Sequence, residues 1–220
     1  MSDIGWITAA ELREQFKENR DGWNESLRVR VHRAISWLQS AEKHSEDNDI
    51  ALLSLLIAIH ACYLRDDEGH KYEGYKPSDT WEDFVNNMRG TKQLRGIYSQ
   101  FRTAEGVSFV KDVMLNIYLL SHTWRYDVDY GKEFMERHQS HLLRFVQQNK
   151  TDKLLGAALL SLNMLRNQIA HGSRTYDSQL NAEAVAGGKN FLFRIVPLFI
   201  LAMIENPEKN WGAVAFPVIR

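Results

Sequence analysis

Two segments of the sequence are apolar over the length of a whole helix, and they restrict the chain to a helical bundle. Residues 50–65 carry apolar side chains at almost every position, among them Leu52, Leu53, Leu55, Leu56, Ile57 and Ile59. A helix that is apolar on all sides belongs at the centre of a bundle. Residues 151–174 (TDKLLGAALLSLNMLRNQIAHGSR) predict a second such helix. Since no segment alternates like a strand, we expect an all-α, up-and-down bundle centred on these two helices.

Capping residues and apolar periodicity predict further helices around this pair. Thr8 and Glu11 have the capping-box spacing and predict a first helix that ends at about Asn19. Residues 66–78 are polar, contain two glycines and are expected to form a surface loop. The remaining predicted helices lie at about 24–45, 79–90, 93–103, 108–123, 132–148 and 181–205, the last capped by Asn181 and kinked at Pro197.

The composition suits one globular domain. The 220 residues are 44% hydrophobic and 25% charged, which is enough for one sizeable core. We therefore expect a single domain over residues 1–220, with its core at about 24–205 and the N-terminal helix and C-terminal tail packed on it. The formal net charge is −1, so any contact with nucleic acid has to come from a few local cations.

Cysteine usage and hydropathy favour a cytoplasmic protein. The single cysteine, Cys62, excludes an intrachain disulfide and is more simply a buried core residue than a nucleophile. The N-terminal residues lack the apolar core of a secretion signal. The apolar run Phe191–Ile204 contains Arg194 and Pro197 and is too short to span a bilayer. We expect no association with a membrane.

The second apolar helix ends in a polar cluster, Arg166-Asn167-Gln168-Ile169-Ala170-His171. Histidine can move a proton near neutral pH, and the planar fork of arginine matches phosphate oxygens. Asparagine has both donors and an acceptor with which to position a neighbour. These residue types suit cleavage of a phosphodiester without a metal. A base takes the proton of an RNA 2′-hydroxyl, a cation stabilises the phosphorane, and an acid protonates the leaving oxygen.

Helix geometry separates two members of this cluster. At about 100° per residue, Asn167 and His171 share a face, whereas Arg166 and His171 are about 140° apart around the axis. One regular helix does not aim both of them at the same phosphate. Either the helix loosens near Gly172, or two copies related by a two-fold axis bring these helix ends together. The second arrangement also supplies two histidines as an acid and base pair.

The same residues have structural interpretations. A histidine in the last turn before a glycine is favourable with the helix dipole. His60 lies in an apolar helix and is expected to be a hydrogen-bonded core residue. The basic residues of the helix at 24–45 are most simply a solvated face. His138 and His141 could share a metal, but no further ligand completes the set, so we predict no metal and no cofactor.

The motif Leu165–Gly172 (LRNQIAHG) resembles the ribonuclease motif of the HEPN superfamily (higher eukaryotes and prokaryotes nucleotide-binding domains). In that motif Asn follows Arg and Gly follows His. Residues 33–38 and 55–63 and the tail at 211–218 also resemble one bacterial HEPN group, although His60 stands where Asn is expected. The resemblance implies a HEPN-type helical bundle that dimerises, with the motifs of two protomers meeting in a cleft.

Carried onto this chain, the resemblance implies a role for each motif residue. Arg166 would stabilise the phosphate, His171 would be the general acid/base, and Asn167 would orient it. Arg174 and Lys189 are the candidate RNA-binding cations. The resemblance thus predicts a metal-independent endoribonuclease that acts on RNA at a homodimer cleft as a toxin or anti-phage defence effector, with an antitoxin or regulatory protein as a further partner.

Two points about the family leave alternatives open. Some HEPN domains only bind nucleotides or proteins, so the alternative prediction is a non-catalytic binding module that uses the same cleft. Some HEPN toxins are controlled by modification of a tyrosine two positions after the histidine. Here that position is Ser173 and the nearest tyrosine is Tyr176, so this form of control is not expected.

Overall fold

The computed structural model describes residues 7–65, 77–148 and 151–216. Ten α-helices occur in these ranges, together with a π-helical turn at Val110–Met114 and a 3₁₀ turn at Ile117–Leu119. An isolated bridge between Arg65 and Val214 is the β-type pairing found among the described residues. The prediction of an all-α helical bundle is confirmed. The helices are α1 (Ala9–Asn19), α2 (Glu25–Lys43), α3 (Asn48–Tyr63), α4 (Pro77–Asn87), α5 (Lys92–Gln100), α6 (Ala104–Phe109), α7 (Ser121–Arg125), α8 (Val128–Gln147), α9 (Thr151–Ala170) and α10 (Ala182–Glu205).

The centre of the bundle is formed by α3 and α10. As predicted, α3 is buried along nearly its whole length, and it packs against α2, α9 and α10. The predicted second central helix, α9, instead buries one face and leaves Leu160 69% exposed. The central position belongs to α10, whose side chains from Phe191 to Ile204 are almost all buried. The sequence of α9 explains this difference, because Gly156, Asn163 and Asn167 interrupt its apolar surface.

Helix α10 agrees with the helix predicted at 181–205, and it is longer than the apolar run Phe191–Ile204 within it. Its 24 residues are long and apolar enough to cross a membrane by length and composition, with a mean hydropathy of 1.5 over an 18-residue window. Within the bundle, however, 83% of that window is buried. The helix continues past Pro197, which is itself buried. Burial of this kind is what a core helix of a globular bundle requires.

Local signals predicted some helix ends well and others poorly. The Thr8–Glu11 capping box is present as expected, with the Thr8 N–H donating to the Glu11 carboxylate over 2.7 Å. The helix predicted at 108–123 is broken, because the Asn116 side chain accepts the Tyr118 N–H and starts a separate turn. Asn181 precedes α10 in a left-handed conformation and makes no side-chain cap. The loop predicted at 66–78 lies mostly outside the described residues.

The C-terminal tail is held by two arginines of α2. Arg30 is fully buried and donates to the carbonyls of Cys62 (2.8 Å), Leu64 (2.9 Å) and Ala213 (3.0 Å). Burial lowers the pKa of Arg30 to about 10, so the guanidinium stays charged at neutral pH. Arg33 donates to the Ala215 carbonyl over 2.8 Å. The prediction that the basic residues of this helix form a solvated face is therefore wrong for these two arginines.

Candidate active site at the end of helix α9

The polar motif lies where the sequence predicted it, in the last turns of α9. The helix ends at Ala170, and the backbone N–H of His171 still bonds the Asn167 carbonyl over 3.0 Å. Gly172 follows with φ +69, a left-handed conformation in which a side chain is strained. This glycine turns the chain away from the helix axis. The helix stays regular through the motif, so the loosening near Gly172 does not reach Arg166 or Asn167.

His171 lies at the exposed end of this helix. Its imidazole is solvent-exposed and has no hydrogen-bond partner within residues 7–65, 77–148 and 151–216. An exposed imidazole with both ring nitrogens available can exchange protons with a ligand. The structure therefore places His171 where a substrate can reach it.

Arg166 lies on a different side of α9, as the helix geometry predicted. Its Nη2 donates to the Asn167 Oδ1 over 2.7 Å, and its Nε is buried and has no hydrogen-bond partner among the described residues. No contact joins the side chains of Arg166 and His171 in the described part of the chain. The bond found for Asn167 goes to Arg166, so within one chain Asn167 positions the guanidinium, whereas the sequence-based expectation was that it orients His171.

The Arg166 side chain faces α3, where it meets a polar cluster that the sequence did not predict. Its charge acts on His60 and Tyr63, and Asn163, one turn earlier on α9, lines the same groove as Tyr63. Burial raises the pKa of Tyr63 to about 12. His60 and Tyr63 have ring centroids 5.2 Å apart. We call His60, Tyr63, Asn163 and Arg166 the α3–α9 cluster.

His60 is held in one orientation within this cluster. Its Nδ1 lies 2.6 Å from the Leu56 carbonyl oxygen, which can only accept, so Nδ1 carries the proton. Burial, and secondarily the charge of Arg166, lowers the pKa of His60. The neutral imidazole with an unprotonated Nε2 is therefore the dominant form at neutral pH. The expectation of a hydrogen-bonded histidine is confirmed.

The lowered pKa of His60 predicts a pH dependence of stability. Because the folded protein binds a proton at His60 less readily than the unfolded chain does, the free energy of unfolding falls as the pH drops below about 6.5. We expect wild type to lose more stability between pH 7.5 and pH 5 than His60→Asn, whose amide can still donate to Leu56. Urea unfolding at a series of pH values measures this difference. Equal losses in both proteins would show that His60 is not the cause.

A second set of bonds fixes the other side of the motif. Gln168 is 8% exposed and donates from Nε2 to the Tyr118 carbonyl over 2.9 Å. Its Oε1 accepts from Asn181 over 3.4 Å. Asn181 thus joins the end of α9 to the start of α10, and its Oδ1, the atom that could cap α10, accepts from Asn116 over 3.5 Å. This bonding positions the turn that carries His171.

Arg174, a predicted RNA-binding residue, is occupied within the protein. It forms an ion pair with Asp49, and the two side chains are only 5% and 7% exposed. Its other donors go to the carbonyls of Ser178 (2.6 Å) and Leu180 (2.9 Å). Buried charges are retained when they are paired in this way. The guanidinium therefore closes the loop that follows His171, and each of its three nitrogens donates a hydrogen bond within the protein.

Lys189, the other predicted RNA-binding residue, is also tied to the protein. Its Nζ donates to the Ser45 carbonyl at the end of α2 over 2.9 Å, and the side chain is half-buried. The structure thus places Lys189 at the junction of α2 and α10, with no contact to Arg166 or His171. Neither predicted cation joins the motif residues in one site.

An open groove lies beside the α3–α9 cluster, between α4 and α9. Its volume is about 790 Å³, which is within the range of small-molecule sites. Tyr63 and Asn163 line the end that it shares with the cluster, and Trp81, Leu159 and Leu160 line its apolar wall. The charged residues of its lining are two cations, Lys153 and Arg89, and one carboxylate, Glu82.

The two histidines considered as metal ligands lie on the exposed face of α8. Their ring centroids are 6.4 Å apart, and His138 Nδ1 bonds the Phe134 carbonyl of its own helix over 2.7 Å. Throughout the described ranges, no group of three or more His, Cys, Asp or Glu side chains is arranged to hold a metal ion.

Comparison of the chain with protein-family models, with curated proteins and with solved structures gives no match.

Proposed function

We propose that this protein is a metal-independent endoribonuclease that acts as a toxin or anti-phage defence effector. The observation that carries the proposal is the end of α9, where an exposed histidine follows an arginine that an asparagine holds in place. These are the residue types that phosphodiester cleavage by an RNA 2′-hydroxyl needs. The resemblance of LRNQIAHG to the HEPN ribonuclease motif supports the same function.

In the proposed reaction each motif residue acts through its position. The Arg166 charge offsets the negative charge that develops on the phosphorane, and such electrostatic stabilisation is a large contribution in many enzymes. Asn167 keeps the guanidinium oriented, so less side-chain entropy is lost when the phosphate binds. His171 moves a proton to or from the reacting oxygens. The products are a 2′,3′-cyclic phosphate and a 5′-hydroxyl.

The proposal includes a homodimer whose cleft contains both motifs. Leu160, Asn167 and His171 share one face of α9, since residues 11 apart differ by only about 20° around a helix. Leu160 is 69% exposed on that face. An exposed leucine in line with the motif supports a second copy packing there. Two copies would bring Arg166 and His171 of different chains to one phosphate.

The experiment that tests the proposed reaction is an RNA-cleavage assay with EDTA present. We expect wild-type protein, of verified dimer mass, to cut single-stranded RNA at a rate that EDTA does not change. Mass spectrometry of the fragments is expected to find 2′,3′-cyclic phosphate ends. Loss of cleavage in EDTA that added metal restores would contradict a metal-independent reaction.

Replacing Leu160 with aspartate is expected to convert the dimer to monomers. The change puts a charge in the centre of the proposed contact face and leaves the core untouched, because Leu160 is exposed in the single chain. We expect cleavage to fall together with the dimer fraction, as measured by light scattering across a concentration series. Leu143→Asp, at another exposed leucine (41%), is the matched control and should remain dimeric.

A non-catalytic binding module is the second candidate function, and the groove between α4 and α9 is the observation that favours it. Apolar walls, the Tyr63–Asn163 pair and an excess of cations over carboxylates in the lining would suit a small phosphorylated ligand. This candidate predicts no RNA cleavage but nucleotide binding that calorimetry detects and that Arg166→Ala weakens. Binding unchanged by Arg166→Ala would separate the groove from the motif.

The proposed setting is the cytoplasm, with an antitoxin or another regulatory protein as partner. Cys62 is a free and fully buried thiol, and burial raises its pKa to about 12. A thiol of this kind is inert and suits a reducing compartment. Tyr176, the nearest tyrosine after His171, donates its hydroxyl to Asp47. Since Ser173 stands two positions after His171, control through a tyrosine at that position is not part of the proposal.

A further inference from the structure

The structure places a second histidine beside the motif arginine, and it comes from another helix. Arg166 and His171 point to different sides of α9, whereas Arg166 faces α3 and its charge reaches His60. The groups of α3 and α9 that act on His60 are Tyr63, whose ring lies 5.2 Å away, and Arg166. Among the described residues no carboxylate of α2, α4 or α10 acts on it. Within one chain, the arginine–histidine pair of the motif region is Arg166 with His60.

The bonding of His60 leaves its Nε2 available as a proton acceptor. Nδ1 donates to the Leu56 carbonyl, and Nε2 has no partner within the described part of the chain. The side chain is half-buried, so the ring is not sealed in the core. Burial, and secondarily the charge of Arg166, favours the neutral form, which is the form a general base needs before the reaction. A hydrogen bond from Nδ1 to a carbonyl is the usual way to fix this tautomer.

We propose that His60 is the general base of the reaction and that His171 of the second copy in the dimer is the general acid. The inference rests on the proposed ribonuclease function and assigns its two proton transfers. His60 Nε2 takes the proton of the 2′-hydroxyl as the O2′–P bond forms. The P–O5′ bond breaks with its electron pair on O5′, which takes a proton from His171. Water then removes the proton from His60 and returns one to His171.

This assignment divides the work differently from a pair of His171 side chains across a dimer. With two copies of His171, both proton transfers would depend on the same exposed residue, and His60 would only support the core. With His60 as base, proton abstraction occurs beside the Arg166 that stabilises the phosphorane. The buried Arg166 Nε without a partner lies in the same cluster. The two schemes predict different effects of His60 on the pH dependence of the rate.

The test is the pH–rate profile of wild type, His60→Asn, His171→Ala and His138→Ala, each checked for dimer mass and melting temperature. Asparagine at position 60 can keep the bond to Leu56 while it removes Nε2. We expect kcat of His60→Asn to fall about 100-fold or more with little change in KM. We also expect the acidic limb of its kcat/KM profile to disappear. His138→Ala should match wild type.

Several outcomes would overturn the inference, and they are distinguishable from failure of the proposed function. A wild-type rate in His60→Asn, or a uniform loss of rate that keeps the acidic limb, would show that His60 is not the base. If His171→Ala still abolished cleavage, the proposed ribonuclease function would stand. If His60→Asn does not fold, NMR titration of the wild-type histidines is the test. The pKa of the acidic limb must then equal the pKa measured for His60 and not the one measured for His171. No cleavage by folded wild-type dimers overturns both proposals.

Discussion

Replacing His171 with alanine is expected to reduce RNA cleavage by about 100- to 10,000-fold, the usual effect of losing a general acid or base. The fold should be unchanged, because the imidazole is exposed and makes no side-chain hydrogen bond in the described part of the chain. The helix already ends at Ala170, and the turn after it depends on Gly172, whose φ is +69. The measurement is initial rate on single-stranded RNA in EDTA, with light scattering and circular dichroism on the same samples.

The control for this prediction is His138→Ala. His138 is also an exposed helical histidine, and its Nδ1 bonds only the carbonyl of its own preceding turn. It is therefore expected to cut RNA at the wild-type rate. If His171→Ala also cut at that rate, the end of α9 would not be the active site. If neither variant nor wild type cut RNA, the groove between α4 and α9 would become the better guide to function.

The sequence predicted those features of the fold that depend on local signals. The buried helix α3 follows from its continuous apolar composition, and the start of α1 follows from the Thr8–Glu11 box. The central position of α10 was not predicted, since apolar content alone does not say which of two helices other elements will cover. The buried role of Arg30 was also missed, because its partners are carbonyls of Cys62 and Ala213, far away in the sequence.

The sequence likewise predicted only part of the candidate site. The motif at the end of α9 and the angular separation of Arg166 from His171 follow from the sequence and helix geometry. The α3–α9 cluster does not, because His60 meets Arg166 only through the packing of two helices about a hundred residues apart. The available signal was a histidine in an otherwise apolar helix. It predicted that His60 is hydrogen-bonded but did not predict that Arg166 lies beside it. For Arg174 the sequence predicted a contact with RNA and did not predict the buried ion pair with Asp49, which lies 125 residues away in the chain.

Replacing Asp49 with alanine is expected to lower the free energy of unfolding by about 3–5 kcal/mol, because it leaves the buried Arg174 guanidinium without its counter-charge. The Asp177 N–H, which donates to Asp49 over 2.8 Å, loses its acceptor as well. At about 2–4 °C per kcal/mol for a chain of this size, the melting temperature should fall by about 6–20 °C. Calorimetry at one fixed protein concentration measures the change. Glu14→Ala, which removes an exposed pair with Lys17, should shift stability by less than about 0.5 kcal/mol.

The double variant Asp49→Leu with Arg174→Met decides whether the buried charge or the lost packing causes this effect. With both charges removed and the volume filled, no unpaired ion remains, and stability should recover most of the loss. The loop after His171 would nonetheless lose the bonds from Arg174 to Ser178 and Leu180. If the role of this loop is to hold His171 in place, the double variant should be nearly as stable as wild type but should cut RNA more slowly. A double variant as unstable as Asp49→Ala would instead show that the hydrogen bonds made by these two side chains, and not an unpaired buried charge, account for the loss of stability.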